Sequence, residues 1–267
     1  MSAGPRHPAP ADPVERVVAA LRAAGLDPER LDPDALAPID ELHTGGRRAT
    51  VALARLAGVA AADRVLDVGA GLGGPARRLA RSFGCEVTAL DVAPELCRLC
   101  ELLTAATGLA GRVHTRHADA VALPFEDASF DLVWTQHAGM AVADKPQLYA
   151  EARRVLAAGG RLALFDVLRG DEAGVRYPTP WATRAADSHL VDAGELAELL
   201  RVAGFRARVW DDLTDDARGW YAEGAARPAP PLGPSVLGDD WAERLANQAW
   251  NVREGRVRLV RTVLDAA

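Results

Sequence analysis

The sequence Val-Leu-Asp-Val-Gly-Ala-Gly-Leu-Gly-Gly, at residues 65–74, decides the fold of this chain. Its apolar start predicts a strand that runs into a glycine-rich turn. The Pro-Ala-Arg-Arg-Leu-Ala that follows, residues 75–80, predicts a helix with proline in its first turn. Glycines let a backbone approach a ligand closely, and a helix N-terminus offers unpaired N–H groups. The stretch therefore predicts a nucleotide-type binding site.

Strand and helix patterns alternate outward from this site. Strands are predicted over residues 64–68, 85–90, 112–117, 130–135, 161–167, 205–210 and 257–264. Helices are predicted over residues 14–24, 47–56, 75–83, 94–107, 145–156, 193–203 and about 240–253, with Ala158-Gly159-Gly160 as a helix stop. Such alternation favours a parallel sheet with helices on both faces and right-handed crossovers. We therefore expect an α/β, Rossmann-like fold with a seven-stranded, mostly parallel sheet.

The segments outside this alternation predict a lid. We expect an N-terminal helical segment at residues 1–62, a binding core at 63–168, a lid insertion at 169–190, and the rest of the sheet at 191–267 with an insertion at 211–254. Open α/β sheets bind ligands beyond the carboxyl ends of their strands. The N-terminal helices and the two insertions are therefore expected to close over a substrate.

Net charge and the distribution of apolar residues restrict the kinds of partner that we expect for this chain. The chain has 267 residues and a formal charge of −6, which gives no basic footprint for nucleic acid. Residues 1–13 lack the apolar stretch of a signal peptide, and no apolar run is long enough to span a bilayer. We expect a soluble, cytoplasmic monomer or homodimer that acts on a small molecule, without nucleic-acid or membrane partners.

No metal site is predicted. Cys85, Cys97 and Cys100 lack companions at zinc-ligand spacing and are interpreted as reduced thiols. His114 and His117 point to opposite faces of a strand and so do not form a metal group.

The glycine turn alone leaves the nucleotide open. Gly69, Gly71 and Gly74 satisfy the dinucleotide spacing, and Asp91 follows at the place of a ribose-binding acid. Sites for NAD and for S-adenosylmethionine share this layout. The turn therefore predicts one of these two cofactors without choosing between them.

Three further features favour S-adenosylmethionine. Asp67 lies inside the first strand, where a carboxylate suits a ligand with an ammonium and a sulfonium better than a pyrophosphate. Asp119 directly follows the third strand, where it can accept a hydrogen bond from an adenine amino group. Residues 123–131 then lead into the fourth strand, and Arg-Val-Leu-Ala-Ala-Gly-Gly follows at residues 154–160.

This order of motifs resembles the class I S-adenosylmethionine-dependent methyltransferases over nearly the whole chain. Residues 42–50, 73–77, 134–137 and 177–181 resemble the branch that contains sarcosine/dimethylglycine N-methyltransferases, with tocopherol-type and natural-product small-molecule methyltransferases related to it. The chain has Met-Ala-Val at residues 140–142, where that branch leads us to expect Met-Asn-Ile. The departure argues against a glycine-derived amine as substrate.

The resemblance implies a set of cofactor-binding residues, namely Asp67, Gly69, Ala70, Gly71, Gly73, Asp91, Val92, Leu96, Asp119, Ala120 and Gln136. Asp91 would bind both ribose hydroxyls, with a helix N-cap as the alternative. Leu96 would pack on the adenine or serve as an ordinary core residue. Asp119 and the Ala120 amide would contact the adenine, with an exposed turn as the alternative for Asp119. Gln136 would contact the methionyl end or form the pocket wall.

The catalytic and substrate-binding candidates lie around the fourth strand and in the first insertion. His137 is the best candidate for a general base, because its pKa can lie near working pH, and a structural histidine is the alternative. His43 is a second acid/base or a loop anchor. Met140, Tyr177 and Trp181 are candidate substrate contacts; the two aromatics would line an apolar pocket, make a cation–π contact with an amine, or only pack the lid.

The leading hypothesis is methyl transfer from S-adenosylmethionine to a small metabolite, a specialised natural product with an O, N or C acceptor, with S-adenosylhomocysteine as the other product. The alternative enzyme retains the cofactor and catalyses a cyclisation or rearrangement. A non-catalytic binding module and an NAD oxidoreductase rank lower. Asn247 and Asn251, one helical turn apart, either face the site or form a polar helix face.

Overall fold

In the computed structural model, residues 12–172, 174–226 and 230–267 are described. Within them seven strands form one sheet in the order β3-β2-β1-β4-β5-β7-β6. The strands are β1 (Arg64–Val68), β2 (Glu86–Asp91), β3 (Val113–His117), β4 (Phe130–Gln136), β5 (Leu156–Arg169), β6 (Phe205–Asp212) and β7 (Val257–Ala266). β7 is antiparallel to both of its neighbours, and all other pairs are parallel. The predicted seven-stranded, mostly parallel sheet is confirmed.

Helices cover both faces of the sheet, and three of them precede its first strand in the chain. They are α1 (Pro13–Ala23), α2 (Pro33–Asp40), α3 (Gly46–Ala57), α4 (Gly74–Phe83), α5 (Pro94–Ala106), α6 (Lys145–Val155), α7 (Ala193–Val202), α8 (Thr214–Ala225) and α9 (Trp241–Arg253). Alternate residues of β1 serve the two faces. Val65 joins one buried cluster, whereas Leu66 and Val68 join the other. This period-two burial holds the sheet between two helical layers.

α2 lies between the first two predicted helices, in a stretch rich in Asp and Pro for which no helix was predicted. Asp32 is its N-cap and accepts a hydrogen bond from the Asp34 amide at 3.0 Å, while Pro33 occupies the first turn. Leu36 and Ile39 are fully buried. The Asp and Pro residues that suggested a loop are therefore the signals that begin a helix.

Two further boundaries differ from prediction. α6 ends at Val155, before the expected stop at residues 158–160, because Leu156 is already extended and pairs with Phe130 of β4. β5 consequently begins at Leu156 and includes the expected stop. The second insertion contains α8, which the sequence did not indicate, with Thr214 and Ala217 buried.

A buried ion pair fixes the N-terminal helices beside the glycine turn. Arg77 of α4 donates to Asp40 at the end of α2 at 2.6 Å, and their side chains are 1% and 3% exposed. A Cβ on Gly74 would overlap the Asp40 backbone, so glycine is needed where the two helices approach. The loop between α2 and α3 is therefore held against the carboxyl edge of the sheet.

None of the helices in the described part of the chain is long and apolar enough to cross a bilayer. Cys85, Cys97 and Cys100 are buried free thiols. Burial raises the pKa of Cys85 and of Cys97 to about 11, so neither is a reactive thiolate at neutral pH.

Candidate active site

A cavity of about 670 Å³ lies at the carboxyl edge of β1, β2, β3 and β4. Residues that follow these four strands form one wall. The other wall comes from outside the core, including His43 from the loop before α3, Trp181 from the first insertion, and Tyr221 and Gln248 from α8 and α9. This is the edge at which open α/β sheets bind their ligands.

Most of the candidate residues meet at this cavity. Those that line it are His43, Gly69, Ala70, Gly71, Asp91, Val92, Leu96, Asp119, Ala120, Gln136, His137, Met140 and Trp181. Asp67, Gly73 and Tyr177 are not part of the lining. Asp67 is buried within β1, and half-buried Tyr177 lies on the segment that leads to Trp181.

The glycine turn is tight for two separate reasons. Gly69 has φ +76°, and a Cβ there would overlap the Ala138 side chain in the turn after β4. Gly73 has φ +78° and begins α4, and its Cβ would overlap the Cys100 sulfur of α5. Gly73 therefore shapes the turn on the side away from the cavity, because its missing side chain lets two helices approach.

The Asp91 carboxylate is fixed by the backbone on both oxygens. Its Oδ2 accepts from the Gly71 amide at 2.8 Å and its Oδ1 from the Ala93 amide at 3.0 Å. Each carboxylate oxygen can accept a further hydrogen bond. Asp119 similarly accepts from the Val121 amide at 3.1 Å. Both acids are held at the lining by their own turns, with capacity to accept donors from a ligand.

Four buried polar atoms at the ends of β1 and β4 have no hydrogen-bond partner in the described part of the chain: Asp67 Oδ2, Thr135 Oγ1, Gln136 Nε2 and His137 Nε2. Burial, reinforced by the negative charge of Asp91, raises the pKa of Asp67 to about 7. Buried polar groups are normally paired, so this cluster is suited to a polar ligand. A carboxylate, an amide and a hydroxyl fit the ammonium and carboxylate of a methionyl group.

His43 and His137 form a pair at the cavity, with ring centroids 6.0 Å apart and an interplanar angle of 67°. Burial lowers the pKa of His43 to about 4, and burial together with His43 lowers the pKa of His137 well below its usual value. Both rings are therefore neutral at neutral pH. A neutral imidazole can accept a proton, which is the chemistry required of a general base.

His43 is anchored as well as exposed to the cavity. Its Nε2 lies 3.0 Å from the Gly46 carbonyl oxygen and 3.0 Å from Thr50 Oγ1. Because a carbonyl only accepts, we assign the ring proton to Nε2, which leaves the lone pair on Nδ1. The loop-anchor interpretation thus has direct geometric support, and it leaves one nitrogen as a proton acceptor.

A buried lysine holds the turn that carries His137. Lys145, the only lysine of the chain, is 5% exposed and donates to the Gly139 carbonyl at 2.6 Å and to the Val142 carbonyl at 3.0 Å. Asp166 packs against Gly139, and burial raises its pKa to about 7. His137 itself has φ +55° and donates its amide to the Phe165 carbonyl at 2.7 Å. This support maintains an unfavourable backbone conformation at the site.

The two asparagines of α9 do not line the cavity but hold the first insertion. Asn251 exchanges two hydrogen bonds with the Arg176 backbone, at 2.8 and 2.9 Å, and Asn247 donates to the Pro178 carbonyl at 3.0 Å. Both are buried, so neither forms an exposed polar face. They position the segment that carries Trp181.

Sequence reasoning missed several residues of the site. Thr135, Tyr221, Trp241 and Gln248 line the cavity but were not singled out. A lysine in the first turn of α6, where the helix dipole disfavours a cation, was a signal that Lys145 has a structural partner. Gln248 had no comparable signal, because a glutamine beside Asn247 reads as part of a polar face.

Known proteins resemble this chain along most of its length. A family model described as "Methyltransferase domain" matches residues 66–164. Methyltransferase GfsG of Streptomyces halstedii is 33% identical over 74% of this chain and 68% of that protein. The 27-O-demethylrifamycin SV methyltransferase of Amycolatopsis mediterranei (strain S699) is 30% identical over 73% of this chain and 71% of that protein. Sarcosine/dimethylglycine N-methyltransferase of Halorhodospira halochloris is 30% identical over 56% of this chain and 54% of that protein.

A solved structure shows the same fold over nearly the full length. The [4+2]-cyclase SpnF superposes with a TM-score of 0.67 at 24% identity, covering 96% of each chain. The predicted resemblance to small-molecule methyltransferases, including the sarcosine/dimethylglycine branch, is confirmed by these relatives. The chain belongs to the class I S-adenosylmethionine-dependent methyltransferases.

Proposed function

We propose that the protein transfers a methyl group from S-adenosylmethionine to a small metabolite, a specialised natural product, and releases S-adenosylhomocysteine. One observation carries the proposal: a single cavity joins the glycine turn and its acidic residues to the neutral pair His43 and His137. Donor and acceptor can therefore meet at the carboxyl edge of the sheet, beside a base. Such positioning is the main contribution that a protein makes to a direct displacement.

The residues that follow β1, β2 and β3 would hold the cofactor. Asp91 would accept from the ribose hydroxyls, and Asp119 with the Ala120 amide would face the adenine beside Leu96. Asp67 and Gln136 would contact the methionyl end, because each has a buried polar atom without a hydrogen-bond partner among the described residues. The bound cofactor supplies an electrophilic methyl group on a positively charged sulfur.

His137 would take the proton of the acceptor. A hydroxyl, a phenol or an acidic carbon loses a proton when its new bond to the methyl group forms, whereas a neutral amine reacts without a base. His137 lines the cavity and is neutral, so it can receive that proton. His43 would act beside it as loop anchor and second proton acceptor.

The walls of the cavity support a small acceptor. Met140 and Trp181 give it apolar surface, and Met-Ala-Val at residues 140–142 offers no polar side chain beyond the sulfur. The relative that acts on 27-O-demethylrifamycin SV supports a natural product over a glycine-derived amine. We place the reaction in secondary metabolism and in the cytoplasm, on a free small molecule, by a monomer or homodimer.

We further propose that the elements outside the core act as the lid. The N-terminal segment (residues 1–62) supplies His43, the insertion at 169–190 supplies Trp181, and the insertion at 211–254 supplies Tyr221 and Gln248. Closure of such segments excludes water from the reacting atoms.

Mass spectrometry tests the proposal. The purified protein is incubated with S-adenosylmethionine and a bacterial small-molecule extract, and products are compared with a reaction that lacks the cofactor. A product heavier by one methylene, formed with an equal amount of S-adenosylhomocysteine, is expected. A product of unchanged mass with the cofactor unconsumed would contradict methyl transfer and support the alternative, a cofactor-retaining cyclase.

A further inference from the structure

One part of the cavity lining comes mostly from elements outside the core. We call it the acceptor end and define it by His43, His137, Trp181, Tyr221, Trp241 and Gln248. Two tryptophans and a tyrosine give it apolar surface. A hydrogen bond of 3.0 Å between Tyr221 and Thr44, the residue after His43, ties the wall formed by α8 to the two histidines.

Charge sets the first property of this site. Among the described residues that line the whole cavity, the charged side chains are carboxylates, and neither lysine nor arginine is present; the carboxylates are Asp40, Asp91, Asp119 and Asp144. Arg244, one turn before Gln248 on α9, is engaged by Asp240 at 2.7 Å and by the Thr179 carbonyl at 2.6 Å. An anionic acceptor would therefore lose its hydration without gaining a cationic side chain as partner.

The two histidines do not add positive charge to the lining. Burial keeps both rings neutral at neutral pH, so they offer no positive charge to a phosphate or carboxylate. A neutral acceptor meets no such penalty. The lining thus disfavours anionic acceptors because it lacks a cationic side chain, and it favours neutral acceptors through its apolar surface.

Gln248 sets the second property. Its side chain is buried, with 2% of the residue exposed, and it lines the cavity. Neither its Oε1 nor its Nε2 has a hydrogen-bond partner among the described residues. The amide lies beside the Tyr221 hydroxyl, and this contact partly offsets the burial that raises the pKa of Tyr221 to about 12, but neither amide atom makes a hydrogen bond of ordinary geometry to a described residue. An unpaired buried amide is costly, and a ligand that satisfies it gains affinity.

We propose that the acceptor end binds an uncharged acceptor through a group that both donates and accepts a hydrogen bond, such as a hydroxyl or a lactam amide, and that Gln248 recognises this group. The inference rests on the proposed function, because it concerns the acceptor of the same reaction. Gln248 would accept through Oε1 and donate through Nε2. It is a specificity-determining residue that takes no proton from the acceptor.

Binding of two simple probes tests both parts. 2-Naphthol is neutral at pH 7 and carries one hydroxyl, and 2-naphthoate places an anion on the same ring. Their affinities are measured by titration of the protein loaded with S-adenosylhomocysteine. The wild type should bind 2-naphthol at least tenfold more tightly than 2-naphthoate. Failure to bind 2-naphthol, or equal binding of 2-naphthoate, would overturn the inference.

Variants distinguish direct recognition of the probe by Gln248 from an indirect effect in which Gln248 only positions Tyr221. Gln248→Leu should weaken 2-naphthol binding about tenfold, the size expected for one hydrogen bond. Tyr221→Phe removes the neighbouring hydroxyl, and the double variant should bind 2-naphthol more weakly than Tyr221→Phe alone. Wild-type affinity in Gln248→Leu, or equal affinity of Tyr221→Phe and the double variant, would overturn the role of Gln248.

Affinity for S-adenosylhomocysteine and the melting temperature report folding in every variant. In Gln248→Leu the affinity for S-adenosylhomocysteine should match the wild type, and the melting temperature should not fall, because the substitution removes an unpaired buried amide. If the wild type itself binds no S-adenosylhomocysteine, the proposed function fails. Normal binding of S-adenosylhomocysteine without the expected probe selectivity overturns only the inference about the acceptor.

Discussion

The imidazoles of His43 and His137 lie 6.0 Å apart at the cavity, although the chain between them forms α3, β1, α4, β2, α5, β3 and β4. His43 enters from the loop before α3, and His137 stands at the end of β4. The fold therefore places two bases from opposite ends of the binding core at one point. Burial keeps both rings neutral at neutral pH, and His43 lowers the pKa of His137 further, so each ring has a free lone pair there.

Replacing His137 should remove proton transfer without removing the cofactor. For a hydroxyl acceptor, His137→Gln should lower kcat by about 10²- to 10⁴-fold, the usual contribution of a general base. The measurement is the rate of S-adenosylhomocysteine formation with the acceptor that mass spectrometry identifies from its methylated product. His114→Gln is the matched control, because His114 is exposed on β3. A His137→Gln enzyme with wild-type kcat would exclude this residue as the base.

Burial of neutral His43 should make stability depend on pH. The pKa of His43 is lowered to about 4, so between pH 4 and 6.5 the unfolded chain binds more protons than the folded one. This contribution to the unfolding free energy is complete above pH 6.5 and is lost as pH falls towards 4, by at most about 1.4 kcal/mol per pH unit.

Urea unfolding of the wild type and His43→Gln between pH 4.5 and 7 isolates that contribution. Asp67 and Asp166, whose pKa values are raised to about 7, act in the opposite direction, but they are present in both proteins. The variant should lose less stability than the wild type as pH falls. Parallel pH profiles would mean that His43 does not titrate differently in the folded chain.

Cofactor binding should release a proton from Asp67. Its carboxyl has a pKa of about 7 in the free protein, and a cationic ligand stabilises the ionised form. The affinity for S-adenosylmethionine should therefore rise with pH up to about 7, by as much as about tenfold per unit, and level off above it.

Calorimetry in buffers of different ionisation enthalpy would measure the proton release. Asp67→Asn should bind more weakly and lose this part of the pH dependence. Asp166→Asn is the control, since Asp166 has a similarly raised pKa but packs against Gly139 in the turn after β4, whereas Asp67 lies next to the ribose-binding candidate Asp91. The same pH slope in Asp67→Asn and the wild type would assign the released proton to another group.

Lys145 should stabilise the turn after β4. Lys145→Met removes the ammonium group that donates to both the Gly139 and the Val142 carbonyls, so the unfolding free energy should fall by about 1–3 kcal/mol in urea unfolding. Arg201→Met is the comparison, because Arg201 forms an exposed pair with Glu198 whose loss should change stability by less than about 0.5 kcal/mol. Equal effects of the two substitutions would show that the lysine is not needed to hold the turn.

The core of the fold was predictable because local signals agree with tertiary packing there. β1 has the predicted bounds, since an apolar run meets a glycine turn, and α4 begins within one residue of its prediction. α2 was missed because Pro33 and Pro38 resemble loop residues until the buried Leu36 and Ile39 are seen to face α5 and α1. The start of β5 was placed five residues too late, at 161 instead of 156, because pairing with β4, which is not local, determines where this strand begins.

The part of the cavity lining that follows the strands was similarly predictable, and the part supplied by α8 and α9 was not. Residues that follow strands carry their position in the sequence, and most of those predicted line the cavity. Tyr221 and Gln248 reach the cavity only through the packing of α8 on α9 and the bond from Tyr221 to Thr44. Asn247 and Gln248 are adjacent in the sequence, yet one holds the insertion and the other faces the cavity.

The central claim is that donor and acceptor share one cavity, with the reacting atoms beside His137. A crystal structure of the protein with S-adenosylhomocysteine and 2-naphthol tests it most directly. The account predicts the ribose hydroxyls on Asp91, the adenine beside Asp119, and the cofactor sulfur facing the two histidines with the naphthol between them. A cofactor bound elsewhere, or one whose sulfur points away from His137, would contradict it.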